Sequence, residues 1–174
     1  VDFSEAIKLD SKIPAHYSNR GLAYDCLGEY DVAIDNYNQA LAIDPNYDIA
    51  YTNRGLVYVH KGEYDLAIMD VTQAIRINPN FRNAYLIRGD GYFGKGEYDL
   101  AIDDYSTAIK IDDKFILSYV GRTKAYIKKK EWQEAKKDIE IACSLNPNST
   151  QVQQDIDECL SLIENQGGHG NETL

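Results

Sequence analysis

Cys26 and His60 are the residues whose side chains could do chemistry, and they stand 34 positions apart in the sequence. A cysteine thiolate acts as a nucleophile when an imidazole lies within hydrogen-bond reach and a third group orients that imidazole. Asp25 and Asp90 are candidates for the third group, but no protease-like signature surrounds them. These residues also lack the ligand spacing of a zinc site. We therefore expect a protein without catalytic residues, metal site or cofactor.

The interval of 34 residues recurs along the chain. It separates successive members of three series of small residues: Gly21, Gly55 and Gly89; Gly28, Gly62 and Gly96; Ala33, Ala67, Ala101 and Ala135. Self-similarity at one fixed period predicts a solenoid, in which each unit buries its apolar face only against its neighbours. This pattern favours an interaction surface over a catalytic pocket.

Four units fit this period, at 14–47, 48–81, 82–115 and 116–149. In unit one we predict helices over 15–27 and 30–43, joined by a turn at Gly28, which can adopt positive φ. Pro45 lacks the N–H that would continue the second helix and ends it. The motif around Pro45 recurs in units two and four, as Asn78-Pro79-Asn80 and Asn146-Pro147-Asn148.

The residues at fixed positions of the units resemble the tetratricopeptide repeat. In unit one they are Tyr17, Gly21, Tyr24, Ala33, Tyr37, Ala40 and Pro45. Unit four departs from the pattern at Thr123, which replaces the Gly, and at Ile139, which replaces the aromatic residue. The resemblance implies an all-α, right-handed superhelical solenoid of helix-turn-helix repeats with a C-terminal capping helix.

The flanks extend this arrangement. Residues 1–13 align with the second helix of a preceding repeat, so either more repeats lie upstream or this half-unit is an N-terminal cap. Residues 150–164 place apolar side chains on one helical face, which predicts the capping helix. Residues 165–174 are Gly-rich and polar, which predicts a disordered tail.

In the family that the sequence resembles, the first helix of each unit lines a concave groove. Carried onto this chain, the groove positions give these candidate peptide-binding residues: Asn19, Leu22, Ile49, Asn53, Leu56, Val59, Leu86, Phe93, Val120, Lys124 and Lys128. The apolar members would hold ligand side chains, the two asparagines would bond the peptide backbone, and the two lysines would meet an acidic group. Alternatively, these residues only pack against neighbouring first helices.

The best-known ligand mode of the family is a carboxylate clamp for the acidic C-termini of chaperones. Its Lys, Asn and Arg positions are occupied here by Ser18, Leu22, Asn53, Asn83 and Ile87, of which only Asn53 fits. An anionic C-terminus would find no charge-assisted partners. We therefore expect no clamp-type chaperone binding.

An arginine recurs at the seventh position of every unit: Arg20, Arg54, Arg88 and Arg122. One interpretation is a ladder that recognises an acidic partner. The favoured one is a repeated ion pair with acids on the second helices, such as Asp35, Asp70, Asp103, Asp104 and Asp138. We expect these ion pairs to be exposed and each to contribute about 0–1 kcal/mol to the free energy of unfolding.

The composition limits the partners. With a net charge of -10 and a pI of about 4.7, the chain is unsuited to nucleic acid or anionic membrane, since both require a basic surface. No apolar run approaches the roughly 20 residues that span a bilayer. Three cysteines without motif spacing favour a reducing compartment, and we expect a cytoplasmic location.

Together these patterns predict a non-catalytic scaffold that binds a peptide segment of a partner protein in its concave groove. The rival hypothesis is self-assembly through the N-terminal half-repeat, where Phe3 and Ile7 could stack against another copy. A third possibility is that the chain is the interaction arm of a larger protein.

Overall fold

The computed structural model describes residues 3–145 and 150–167. Over these residues the protein has ten α-helices and no strand, which confirms the all-helical prediction. The helices are α1 (Phe3–Leu9), α2 (Pro14–Cys26), α3 (Tyr30–Ile43), α4 (Asp48–His60), α5 (Tyr64–Ile77), α6 (Arg82–Lys95), α7 (Tyr98–Ile111), α8 (Ile116–Lys129), α9 (Trp132–Ser144) and α10 (Thr150–Gly167). Each predicted unit therefore contains two helices, and consecutive units pack as a solenoid.

Two layers of helices form the solenoid. Each first helix packs against the second helix of its own unit, and each second helix contacts the first helix of the next unit. The first helices α2, α4, α6 and α8 also contact one another in succession, whereas within the described ranges the second helices do not. The first helices thus form the inner layer, on the concave side of the array.

Tight turns join the two helices of each unit. The turn residues Gly28, Gly62 and Gly96 have φ of 76°, 75° and 81°, and Lys130 takes the same left-handed conformation in unit four with φ of 61°. A residue in this conformation ends a helix and reverses the chain within two or three residues. Glycine adopts it without the steric cost that a side chain brings, which explains the 34-residue recurrence of these glycines.

Small residues let the paired helices approach closely. A Cβ atom built on Gly89 would lie 2.7 Å from Cε1 of Tyr105, whose ring fills the space between α6 and α7. The alanines at the corresponding contacts, such as Ala33 and Ala67, are fully buried. The recurring interval of small residues is thus the packing pattern of the helix pairs themselves.

The recurring arginines pair with buried acids. Arg54, Arg88 and Arg122 each make two hydrogen bonds of 2.6–2.8 Å to a carboxylate 16 residues further on: Asp70, Asp104 and Asp138. The structural interpretation is therefore confirmed for these three units. The carboxylate side chains are only 3–7% exposed, so the expectation of exposed, weak pairs is wrong.

The choice of partners also needs correction. In unit one, Arg20 Nε donates to Asn36 Oδ1 at 2.6 Å, so Asp35 is not its partner. Asp103 is exposed, while its neighbour Asp104 holds Arg88. The third guanidinium nitrogen, Nη1, reaches the second helix of the preceding unit: Arg54 donates to Asn38 Oδ1, Arg88 to Thr72 Oγ1 at 3.3 Å and Arg122 to Ser106 Oγ at 2.7 Å. Each of these arginines therefore bridges two units.

The last helix, α10, covers the end of the array. It packs on α8 and α9 and buries Ile156, Cys159 and Ile163. It extends to Gly167, three residues beyond the predicted end at 164; the remainder of the predicted tail and the Asn146-Pro147-Asn148 motif lie outside the described residues. At the other end α1 packs on α2 and leaves Phe3 and Ile7 partly exposed.

Candidate peptide-binding groove

The predicted groove residues come from all four first helices. Asn19 and Leu22 lie on α2; Ile49, Asn53, Leu56 and Val59 on α4; Leu86 and Phe93 on α6; Val120, Lys124 and Lys128 on α8. Because the first helices contact one another in succession, these residues all lie in the inner layer of helices.

Six of these side chains form what we call the apolar floor: Leu22, Ile49, Leu56, Val59, Leu86 and Phe93. Leu22 and Ile49 are 43% and 40% exposed. Leu56 and Val59 pack against the core between units two and three and remain partly accessible, as do Leu86 and Phe93 one unit further on. The alternative interpretation, packing against neighbouring helices, thus holds for the last four, which support the core and remain partly accessible.

Val120 does not belong to this floor. It is 3% exposed and lies in the core cluster with Ile139 and Ile156. Its burial follows from α10, which covers the face of unit four that another first helix would otherwise cover. The prediction that Val120 faces a ligand is therefore wrong.

The two lysines have different environments. Lys124 Nζ lies 3.2 Å from Asp155 Oδ1 on α10, so its charge is already paired within the protein. Lys128 is exposed and lines a cleft of about 630 Å³ between α6, α8 and α10, together with Phe93 and Leu162. Lys124 lines the same cleft, so the two lysines differ in pairing and exposure rather than in position.

Cys26 and His60 do not form a nucleophilic pair. His60 Nδ1 lies 3.1 Å from Asp25 Oδ1, and its ring is tilted against Tyr30 with 5.8 Å between centroids. The Cys26 side chain is exposed. Among residues 3–145 and 150–167, no group of three or more His, Cys, Asp or Glu side chains could hold a metal ion.

Asp90 occupies a groove position of unit three but is not among the candidate peptide-binding residues named from the sequence. It lies on α6, is partly exposed, and accepts a 2.7 Å hydrogen bond at Oδ1 from the hydroxyl of Tyr105 on α7. Burial raises the pKa of this carboxyl to about 6, although the Tyr105 hydrogen bond and the charges of Lys124 and His60 act in the opposite direction. Desolvation thus outweighs every favourable interaction of the carboxylate in the free protein.

Two glycines leave the space through which the Tyr105 side chain reaches Asp90. A Cβ atom on Gly89 or on Gly121 would lie 2.7 Å or 2.8 Å from the Tyr105 ring, so the ring passes between α6 and α8 only because both are glycine. Gly121 stands where units one and two carry Asn19 and Asn53. This departure from the other units was the available sequence signal.

Asp90→Asn is expected to gain stability over wild type as the pH rises from 4 to 7. The folded-state pKa of about 6 exceeds the unfolded value of about 4, so the native protein holds the proton more strongly and wild type loses stability as the pH rises through this window. The amide does not titrate. The difference in unfolding free energy between variant and wild type should grow by on the order of 2–3 kcal/mol. Urea denaturation at both pH values measures it, and a constant difference would contradict it.

Comparison with known families identifies the repeat. A TPR repeat model matches residues 27–62, and tetratricopeptide repeat models match 49–81 and 83–115. Together they cover just over half of the chain. The chain belongs to the tetratricopeptide repeat family. Unit four lies outside these matches, but α8 and α9 pair as the helices of the other repeats do. Among curated proteins, no sequence matches this chain.

Solved structures of other tetratricopeptide repeat proteins share the fold. A crystal structure of MamA is 27% identical, covers 82% of this chain and 84% of its own, and has a TM-score of 0.72. A thermophilic TPR protein in Thermus thermophilus, TTC0263, is 22% identical over 91% of this chain and 87% of its own, with a TM-score of 0.81. The first TPR of Spaghetti (RPAP3) bound to HSP90 peptide SRMEEVD is 26% identical over 67% and 92%, with a TM-score of 0.64.

The family assignment settles the general type of protein. Tetratricopeptide repeats are generally modules for protein–protein interaction, and this chain is an interaction scaffold of that type. No helix in the described part of the chain is long and apolar enough to cross a membrane.

Proposed function

We propose that this tetratricopeptide repeat protein binds an extended peptide segment of a partner protein in its concave groove. The observation that carries the proposal is the apolar floor, since six apolar side chains from three consecutive first helices remain accessible along one side of the array. Accessible apolar side chains on neighbouring helices favour a ligand surface. The ligand's apolar side chains would pack on this floor, and its backbone would bond Asn19 and Asn53.

The ligand differs in chemistry from an acidic chaperone C-terminus. At the positions of a carboxylate clamp the chain has Leu22 and Ile87 in place of polar groups, and Ile87 is buried. The RPAP3 domain binds an HSP90 peptide, but here an anionic terminus would lose its charge-assisted hydrogen bonds. The apolar floor supports a ligand that binds mainly through apolar side chains.

A matched pair of variants tests the groove. Leu22→Glu/Ile49→Glu places two charges on the apolar floor, and Leu66→Glu/Leu100→Glu places two charges on second helices at sites that are 40% and 45% exposed. Phage-displayed random dodecapeptides would be selected on wild type, and affinities measured by fluorescence anisotropy. We expect the floor variant to lose about tenfold or more in affinity and the control variant to bind as wild type does.

The opposite pattern would overturn the proposal. If the selected peptides bind the floor variant as tightly as wild type but lose affinity for Leu66→Glu/Leu100→Glu, the ligand surface lies on the second helices. Because all four sites are about equally exposed, the two variants carry comparable risk of unfolding. Far-UV circular dichroism of both checks this directly.

A further inference from the structure

We propose that the groove selects peptides that carry an arginine or lysine among apolar residues, with the basic side chain seated on the carboxylate of Asp90. This inference rests on the proposed peptide binding and specifies the chemistry of the ligand. It depends on three observations: the pairing of the other acids, the geometry of Asp90, and the charge of the whole protein.

Asp90 is set apart by its lack of a cationic partner. Along the groove, Asp25 contacts His60 and Asp155 contacts Lys124. Among residues 3–145 and 150–167, no basic side chain lies within ion-pair distance of Asp90; its hydrogen-bond partner is the neutral hydroxyl of Tyr105. A carboxylate that is partly withdrawn from water and has no basic group within ion-pair distance is a ready site for a cation.

The geometry leaves one side of the carboxylate available. Tyr105 fixes Oδ1 at 2.7 Å, while Oδ2 accepts no hydrogen bond from the described residues. The charged groups that face Asp90 are His60 from α4 and Lys124 from α8, and Lys124 is engaged by Asp155 on α10. Phe93 lies one helical turn beyond Asp90 on α6, where its ring can cover the stem or the charge of a bound basic side chain.

The other repeats lack this combination. At the position of Asp90, units one, two and four carry Leu22, Leu56 and Lys124. The equivalent residues on one side of Asp90 are therefore apolar. On the other side lies Lys124, which is paired with Asp155. The proposed ligand accordingly has apolar residues next to its basic residue.

The overall charge supports a basic ligand as well. The chain carries a net charge of -10, which attracts cationic peptides over long range and raises their association rate. Burial raises the pKa of Asp90, so the ionised carboxylate is costly in the free protein and a bound cation would relieve that cost. The net charge of the protein and the local environment of Asp90 therefore both favour a basic ligand.

Three synthetic peptide pools test the inference. The pools consist of acetylated, amidated nonapeptides whose central residue is arginine, citrulline or glutamate and whose other positions are drawn from Leu, Val, Phe, Ala and Ser. Citrulline keeps the shape of arginine without its charge. We expect wild type to bind the arginine pool about tenfold more tightly than the citrulline pool, and the glutamate pool most weakly.

Asp90→Asn should remove this preference while it keeps the affinity for the citrulline pool, because the amide oxygen still accepts the Tyr105 hydrogen bond. Asp103→Asn, an exposed site on α7, makes the same change in net charge and should keep the preference. Equal binding of the arginine and citrulline pools to wild type, or an arginine preference that survives in Asp90→Asn, would overturn the inference.

The same pools separate this inference from the proposed function. If all pools bind wild type equally and lose affinity for Leu22→Glu/Ile49→Glu, the groove binds peptides and only the role of Asp90 is wrong. If no pool binds wild type, both the groove and the Asp90 proposals fail.

Discussion

Asp104→Ala is expected to lower the free energy of unfolding by about 3–5 kcal/mol, because it leaves the Arg88 guanidinium without its partner in a partly buried site. Asp104 accepts two hydrogen bonds of 2.7 Å from Arg88 and is itself buried. Burial raises the pKa of the Asp104 carboxyl even though Arg88 favours its charged form. The pair therefore balances a large desolvation cost, and removal of one member exposes that cost. Urea denaturation followed by far-UV circular dichroism measures the change.

The neighbouring aspartate provides the control. Asp103 is exposed, and Asp103→Ala should change the free energy of unfolding by no more than about 0.5 kcal/mol. Asp104→Asn should cost less than Asp104→Ala, since unit one already pairs Arg20 with Asn36. The double variant Arg88→Leu/Asp104→Leu should cost less than Asp104→Ala alone. A loss below about 1 kcal/mol for Asp104→Ala would show that the pair is weak, as in an exposed ion pair.

Two buried tyrosines at the same repeat position should respond in opposite ways to loss of the hydroxyl. Tyr37 is fully buried and its hydroxyl has no hydrogen-bond partner among the described residues, so Tyr37→Phe should be neutral or stabilising by up to about 1 kcal/mol. Tyr105→Phe removes the hydroxyl that donates to Asp90 and should cost about 1–2 kcal/mol at neutral pH. Thermal and urea denaturation of both variants give the comparison.

Truncation of the Tyr37 side chain is expected to have a larger effect than removal of its hydroxyl. Tyr37→Ala removes a side chain that packs between α2 and α3 and should cost about 3–5 kcal/mol. Val71 and Ile139 occupy the equivalent position in units two and four, so Tyr37→Ile is the milder replacement for comparison. Equal losses for Tyr37→Phe and Tyr105→Phe would contradict the different roles assigned to the two hydroxyls.

The sequence predicted the helices well because its strongest signals are local. Gly28, Gly62 and Gly96 recur where the chain takes positive φ in units one to three, and Pro45 ends a helix by its own chemistry. These signals act within a few residues and repeat every 34, so a single chain contains several independent copies of the same evidence. In unit four, Thr123 and Ile139 replace the usual Gly and aromatic residue, and α8 still pairs with α9.

Predictions that required packing between distant segments were less successful. The choice between Asp103 and Asp104 depends on the rotation of α7 about its axis, which the repeat period alone does not determine. Val120 is buried by α10. The groove positions of the family describe internal repeats, which have no capping helix packed against them. Asp90 was not among the candidate peptide-binding residues, because its hydrogen bond to Tyr105 depends on a glycine in the next unit, Gly121.

The arginine bridges make neighbouring repeats interdependent in unfolding. Arg88 holds Asp104 in its own unit and Thr72 in the preceding one, and Arg122 does the same with Asp138 and Ser106. Opening an internal unit therefore breaks bonds that belong to two units, which penalises isolated opening and favours loss of structure from an end. Unit one holds Arg20 by a single bond to Asn36. The array is thus a series of coupled units, in which Arg54 also ties unit two to unit one through Asn38, and the candidate groove of units one to three lies within that coupled stretch.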